Sequence, residues 1–109
     1  MRIVFDDIKE SLAPNFKGGE KSFASKAFSD GKNKMMKGRV MPGASIGMHR
    51  HEGNCEMIYV LEGSGKMLYD GSEERLSAGD FHYCPEGHEH SFINDGDCDL
   101  VFIAVVPAQ

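Results

Sequence analysis

Apolar and polar positions along this chain alternate in short runs rather than at helical spacing. Seven segments have strand character: "SFASKAF", "KMMKGRVM", "MIYVLEG", "SGKMLY", "FHYC", "HSFIN" and "LVFIAVV". Three Asp-Gly pairs, Asp30-Gly31, Asp70-Gly71 and Asp95-Gly96, stand among them. Both positions of such a pair tolerate positive φ, which predicts tight hairpins. Strand runs and turn signals recurring about every 8–12 residues predict an antiparallel sandwich or barrel. Helical periodicity is confined to "FDDIKESL", where Phe5, Ile8 and Leu12 share a face and Pro14 ends the segment. It predicts at most a short N-terminal helical turn. The fold class expected is all-β.

The chain has 109 residues, enough for one domain, and no repeat or linker divides it. We take residues 1–109 as a single unit with an N-terminal arm over about residues 1–30. Composition is that of a globular chain, 40% hydrophobic and 27% charged, with a net charge of −5. That balance argues against nucleic acid as a partner, which needs a concentrated basic face. The cluster Lys32, Lys34, Lys37 and Arg39 reads as a solvated strand face. Charges at Asp6, Asp7, Lys9 and Glu10 interrupt any N-terminal signal core, and Leu100–Val106 is too short to span a bilayer. A cytoplasmic protein with no membrane partner is expected. The odd set Cys55, Cys84 and Cys98 has no paired spacing, which fits reduced thiols.

Candidate chemistry concentrates in "GMHRHEGNCEM", residues 47–57. On a strand His49 and His51 point to one face and Arg50 to the other, with the imidazoles about 7 Å apart. A reversal at "EGNC" brings Glu56 alongside, so all three can meet one ion. By themselves they read equally well as exposed polar residues beside a turn.

The wider spacing changes that balance. Gly43, His49, His51, Glu56 and Gly63 are separated by five, one, four and six residues; Gly79, Pro85, Gly87, His90 and Asn94 by five, one, two and three. In these ten positions the chain resembles the cupin superfamily, small single-domain type, matching both of its motifs over residues 43–94. The resemblance implies an antiparallel double-stranded β-helix, a jelly-roll barrel. It implies one divalent transition metal held by His49, His51, Glu56 and His90. Three imidazoles and a carboxylate suit such an ion, with positions left for water or substrate. It further implies an inward register of Met36, Gly38 and Val40, in preference to Met35, Lys37 and Arg39. Met36, Phe92, Phe102 and Ala104 would then line an apolar pocket. His88 is expected in an exposed loop, His82 at the surface or behind the ligands, and Asn94 as a turn cap.

By the same resemblance the protein is a metal-dependent enzyme acting on a small organic molecule by oxidation, isomerisation or decarboxylation. The metal identity stays open among Fe, Mn, Ni, Co, Zn and Cu. The competing reading is a non-catalytic module that binds a small ligand. A pure scaffold would have no need of four ligands at this spacing. Oxalate-decarboxylase-like chemistry would want an arginine and a mobile carboxylate by the metal, for which Arg39 and Glu52 come into view. A sugar phosphate would want buried cations, which only the less favoured register supplies. Relatives of this size pair as homodimers, with "SFASKAF" the candidate exchange strand.

Overall fold

A computed structural model describes all 109 residues. Ten strands run in chain order as β1 Ser11–Pro14, β2 Ser22–Ser29, β3 Asn33–Val40, β4 Ser45–Arg50 and β5 Glu56–Glu62, then β6 Ser64–Tyr69, β7 Ser72–Ser77, β8 Phe81–Cys84, β9 Glu89–Ile93 and β10 Leu100–Pro107. They form a six-stranded sheet of order β1-β2-β3-β10-β5-β8 and a four-stranded sheet of order β4-β9-β6-β7. Every pairing is antiparallel, and the two sheets make the jelly roll that the spacing implies.

The inner face of the large sheet follows alternation along β3 and β5, and along β10 except at Val101, which is also buried beside a register shift. Met36 and Val40 of β3, Ile58 and Val60 of β5, and Leu100, Phe102 and Ala104 of β10 are buried. They join Phe92 of β9 and Met67 of β6 in one hydrophobic cluster. Gly38 completes the inward set on β3 for a steric reason. It lies opposite Phe102 in the ladder, and a Cβ there would come within 2.4 Å of the Phe102 ring. Lys37 and Arg39 therefore face outward, where Arg39 pairs with Glu10 at 2.8 Å and Asp99 at 3.4 Å.

Two of the three Asp-Gly pairs make hairpins. Asp70 and Gly71, both at positive φ, form the two-residue turn between β6 and β7. Between β2 and β3, Asp30 Oδ1 accepts the backbone N–H groups of Lys32 and Asn33. Asp95-Gly96 instead lies in the connection from β9 to β10, which leaves one sheet for the other, and Gly96 is not at positive φ. Asn94 organises that crossing. Its buried amide donates to the carbonyls of Val40 and Cys98, and its Oδ1 accepts from Gly96 N–H.

The N-terminal helical turn is a single 3₁₀ turn at Phe5–Asp7. The rest of the proposed helical face is overridden, because Ser11–Pro14 pairs with Ser22–Ser25 as β1. The segment "SFASKAF" is β2, held between β1 and β3 of its own chain. Strand β7, "SEERLS", is mostly solvent-facing, and only Leu76 is buried.

Candidate metal centre

Strand β4 carries His49, and it does so out of phase with its own first half. Ile46 faces the interior opposite Phe92, so simple alternation would turn Met48 and Arg50 inward. The ladder to β9 shifts by one residue between Ile46 and His49, a β-bulge, after which His49 pairs with His90 and Arg50 with Glu89. The bulge reverses the phase. Met48 and Arg50 go to solvent, while His49 and, just past the strand, His51 turn inward. Ser91 Oγ donates to the Ile46 carbonyl at 2.7 Å, satisfying an oxygen buried at the bulge.

The bend of the second motif pins the other side. Gly87, at φ +88°, donates its N–H to the His51 carbonyl at 2.7 Å, and His51 N–H donates to the His88 carbonyl at 3.0 Å. Glu56 opens β5 with its side chain inward. The rings of His49, His51 and His90 stand edge to face with centroids 4.7–5.0 Å apart. Glu56 Oε1 lies 2.9 Å from His90 Nε2, 3.2 Å from His51 Nε2 and 4.0 Å from His49 Nε2.

Each histidine uses its other nitrogen elsewhere. His49 Nδ1–H donates to the Gly47 carbonyl at 2.8 Å, and His51 Nδ1–H to Asn54 Oδ1 at 2.7 Å. His90 Nδ1 faces His82 Nε2 at 3.0 Å, and His82 Nδ1 faces Glu74 Oε1 at 2.7 Å. Glu74 can only accept, so a neutral His82 donates from Nδ1 and accepts at Nε2 from His90 Nδ1–H. In the neutral tautomers that coordination requires, all three ligand candidates would keep Nε2 for the ion, and all three Nε2 atoms face one carboxylate. Such a donor set fits a divalent transition ion. One ligand atom from each of His49, His51, Glu56 and His90 falls within a 4.8 Å span.

Electrostatics agree with that geometry. Burial lowers the proton affinity of His49 and His82, keeping both neutral. Glu56 is pushed up by burial, but hydrogen bonds from His51 and His90 outweigh this and bring it to about 2. His51 is raised, first by its hydrogen bond to Glu56.

Beside the cluster is a small cavity of about 30 Å³ lined by Phe16, Phe23, Met36, Ile46, Ile58, Phe92 and Phe102 together with His49, Glu56 and His90. Of the four pocket residues expected from the sequence, Met36, Phe92 and Phe102 line it. Ala104 is buried but does not reach it, because its methyl sits between its ladder partners Met36 and Ile58. On the other side His49, His51 and Glu56 border an open cleft of about 350 Å³ that also includes Lys17, Lys34, Arg50, Glu52 and Asn54. Arg39 is on the outer surface and touches neither. His88 pairs with Asp70 and lies outside the cluster. His82 is 2% exposed rather than at the surface, and stands directly behind His90.

Phe16 and Lys17 were not found from sequence. They sit on a segment laid across β4 so closely that a Cβ at Gly47 would meet the Lys17 carbonyl at 2.0 Å. The signal was the glycine inside a strand pattern, which marks a bulge or a close backbone approach.

A family model for the cupin domain matches residues 36–106, well over half of the chain. The chain belongs to the cupin family. Among curated relatives, this cupin is 40% identical over 68 residues to an oxalate-binding protein of Thermotoga maritima, a match spanning 62% of this chain and 56% of that one. It is 32% identical over 84 residues to quercetin 2,3-dioxygenase of Bacillus subtilis, covering 77% of this chain and 25% of the relative. The chain thus spans little more than half of the first relative's length and a quarter of the second's. Among solved structures, one described as a "predicted oxalate decarboxylase" from Thermotoga maritima superposes over 100% of both chains with a TM-score of 0.93 and 29% identity.

Proposed function

We propose that this cupin binds one divalent transition metal through His49, His51, Glu56 and His90 and uses it to act on a small carboxylate of the oxalate class. The observation that carries the reading is the convergence of three imidazole Nε2 atoms and one carboxylate between an apolar cavity and a cleft bearing Lys17 and Lys34. A divalent metal held there supplies a Lewis acid for a ligand's oxygens. Lys17 and Lys34 draw an anion towards the cluster. Phe16, Phe92 and Phe102 exclude water from its inner side. The printed names of two Thermotoga maritima proteins similar to this chain favour oxalate. The outward register of Lys37 and Arg39 disfavours a sugar phosphate inside the barrel, where no buried cation would meet it.

Turnover of oxalate would convert hydrogen oxalate into formate and carbon dioxide. A second reading, binding without turnover, is favoured by one observation: apart from His49, Glu56 and His90, every side chain lining the inner cavity is apolar. The two separate in one experiment. Protein loaded with Mn²⁺ or Fe²⁺ is incubated in air with oxalate, following formate and carbon dioxide, and binding is followed by calorimetry. Formate and carbon dioxide in equal amounts establish decarboxylation, and saturable binding with oxalate intact establishes the module. Neither binding nor consumption contradicts the oxalate-class reading.

We also propose that the protein works as a homodimer in the cytoplasm. Tyr59, Leu61, Phe81 and Tyr83 form an exposed apolar face on β5 and the edge strand β8, and a second copy would cover it.

A further inference from the structure

The cluster described above leaves a buried histidine unused, and it stands at none of the ten motif positions. His82 has a side chain only 1% exposed, yet both of its ring nitrogens are matched. A residue at this inward position of β8 needs only to be apolar to fill the core, as Ile58 beside it does. A histidine there would be costly unless its two polar atoms found partners.

The partners come from three strands. Glu74 stands on β7, at the edge of the small sheet; His82 on β8, at the edge of the large sheet; His90 on β9, inside the small one. The hydrogen bonds therefore cross the gap between the two sheets. The rings of His82 and His90 lie near parallel, at 23° with centroids 5.2 Å apart. Tyr69 closes on His82 edge-on at 86° and 5.4 Å, which fixes the plane of the ring. The carboxylate that ends the chain is 45% exposed, so its charge stays hydrated while the imidazoles remain dry.

The three ligand histidines are not equivalent in what stands behind them. His49 has a backbone carbonyl and His51 a side-chain amide oxygen, both neutral and fixed. His90 has an imidazole that is itself backed by a carboxylate. A cation on His90 Nε2 polarises its Nδ1–H, which strengthens the bond to His82 and in turn the bond from His82 to Glu74.

We infer that Glu74 and His82 form a hydrogen-bonded relay from solvent to His90, making them positioning residues that fix the tautomer and ring plane of this ligand and set the affinity of the metal site. The inference rests on the four-ligand metal reading. Neither residue belongs to the four-residue set of His49, His51, Glu56 and His90.

The test is metal affinity, measured by competition with a chromogenic chelator for Co²⁺ and Zn²⁺, on wild type, His82→Phe, His82→Gln and Glu74→Gln. Phenylalanine fills the core but leaves His90 Nδ1–H without an acceptor. We expect it to weaken binding about 10–100-fold, while the melting temperature of the metal-free protein holds or rises. Glutamine at 82 restores an acceptor and recovers part of the affinity. Glu74→Gln removes only the charge at the solvent end and gives a smaller loss. The visible Co²⁺ spectrum should change in His82→Phe, which a purely packing role would not produce. Wild-type binding with His82→Phe and Glu74→Gln both within about twofold overturns the relay and leaves the metal site standing. If His82→Phe does not fold, unchanged affinity in Glu74→Gln overturns it alone. A wild type that binds no metal overturns the four-ligand reading first, and the relay with it.

Discussion

His51 Nε2 and Glu56 Oε1 lie 3.2 Å apart where the metal reading places a cation, and that contact governs how the site answers to pH. Glu56, lowered to about 2, contributes above its unfolded value and loses that contribution only as pH falls through about 2. Acid therefore does not strip the carboxylate from the site first. His51 is raised, so its proton stabilises the metal-free fold fully below the ordinary value of 6.5 and ceases to do so as pH rises through the raised one. A metal must displace that proton. Affinity should therefore fall steadily from about pH 8 to about pH 5, and a flat chelator-competition profile over that range would contradict the arrangement. At the same scale, His49→Ala or His90→Ala should cost more than the about 10–100-fold that outer partners cost, with far-UV circular dichroism unchanged. The thiols divide by burial. Cys84 is pushed up to about 12 by desolvation first, and Cys55 is 1% exposed, whereas Cys98 is exposed. Iodoacetamide should modify Cys98 alone in the native protein and all three cysteines after unfolding, read by mass spectrometry.

Strand β4 is the element on which the site depends, and its bulge is the part that alternation could not reveal. The sequence places His49 and His51 on one face correctly, since they stand two apart. It does not show that Ile46 shares their face, because the change of phase costs one residue and leaves no apolar mark. Strands β2, β3, β5, β6, β9 and β10 were legible from their apolar runs, as was the edge strand β8. Strand β7 was not, because a single buried side chain, Leu76, cannot make a period. The helical face at Phe5, Ile8 and Leu12 yields the short turn expected, Phe5–Asp7, and goes no further because Leu12 pairs in β1 with β2. Two glycines give tests of this level. Gly38→Ala drives a methyl into a ring that is 0% exposed and should destabilise by about 1–3 kcal/mol, measured by urea unfolding. Gly47→Ala meets a backbone carbonyl instead, so it should displace the segment bearing Phe16 and Lys17 and weaken both stability and anion binding.

Over the whole molecule, the two motifs and their spacing were enough to name the architecture, and they carry the four side chains that the fold brings together. What lay away from the ten motif positions needed the fold. The relay partners Glu74 and His82 come from β7 and β8, and the aromatic cover comes from the N-terminal arm. The exposed face of Tyr59, Leu61, Phe81 and Tyr83 belongs to this scale too. Light scattering should give about twice the 12.0 kDa chain mass, and Tyr83→Lys on the edge strand should return it to the monomer value. The most direct test of the account is elemental analysis of protein purified without chelator or nickel resin, beside a His51→Ala control. About one transition-metal ion per chain in the wild type and none in the control is the result expected. No ion in the wild type even after addition of Mn²⁺, Fe²⁺, Co²⁺ and Zn²⁺, or an equal content in the control, would contradict it.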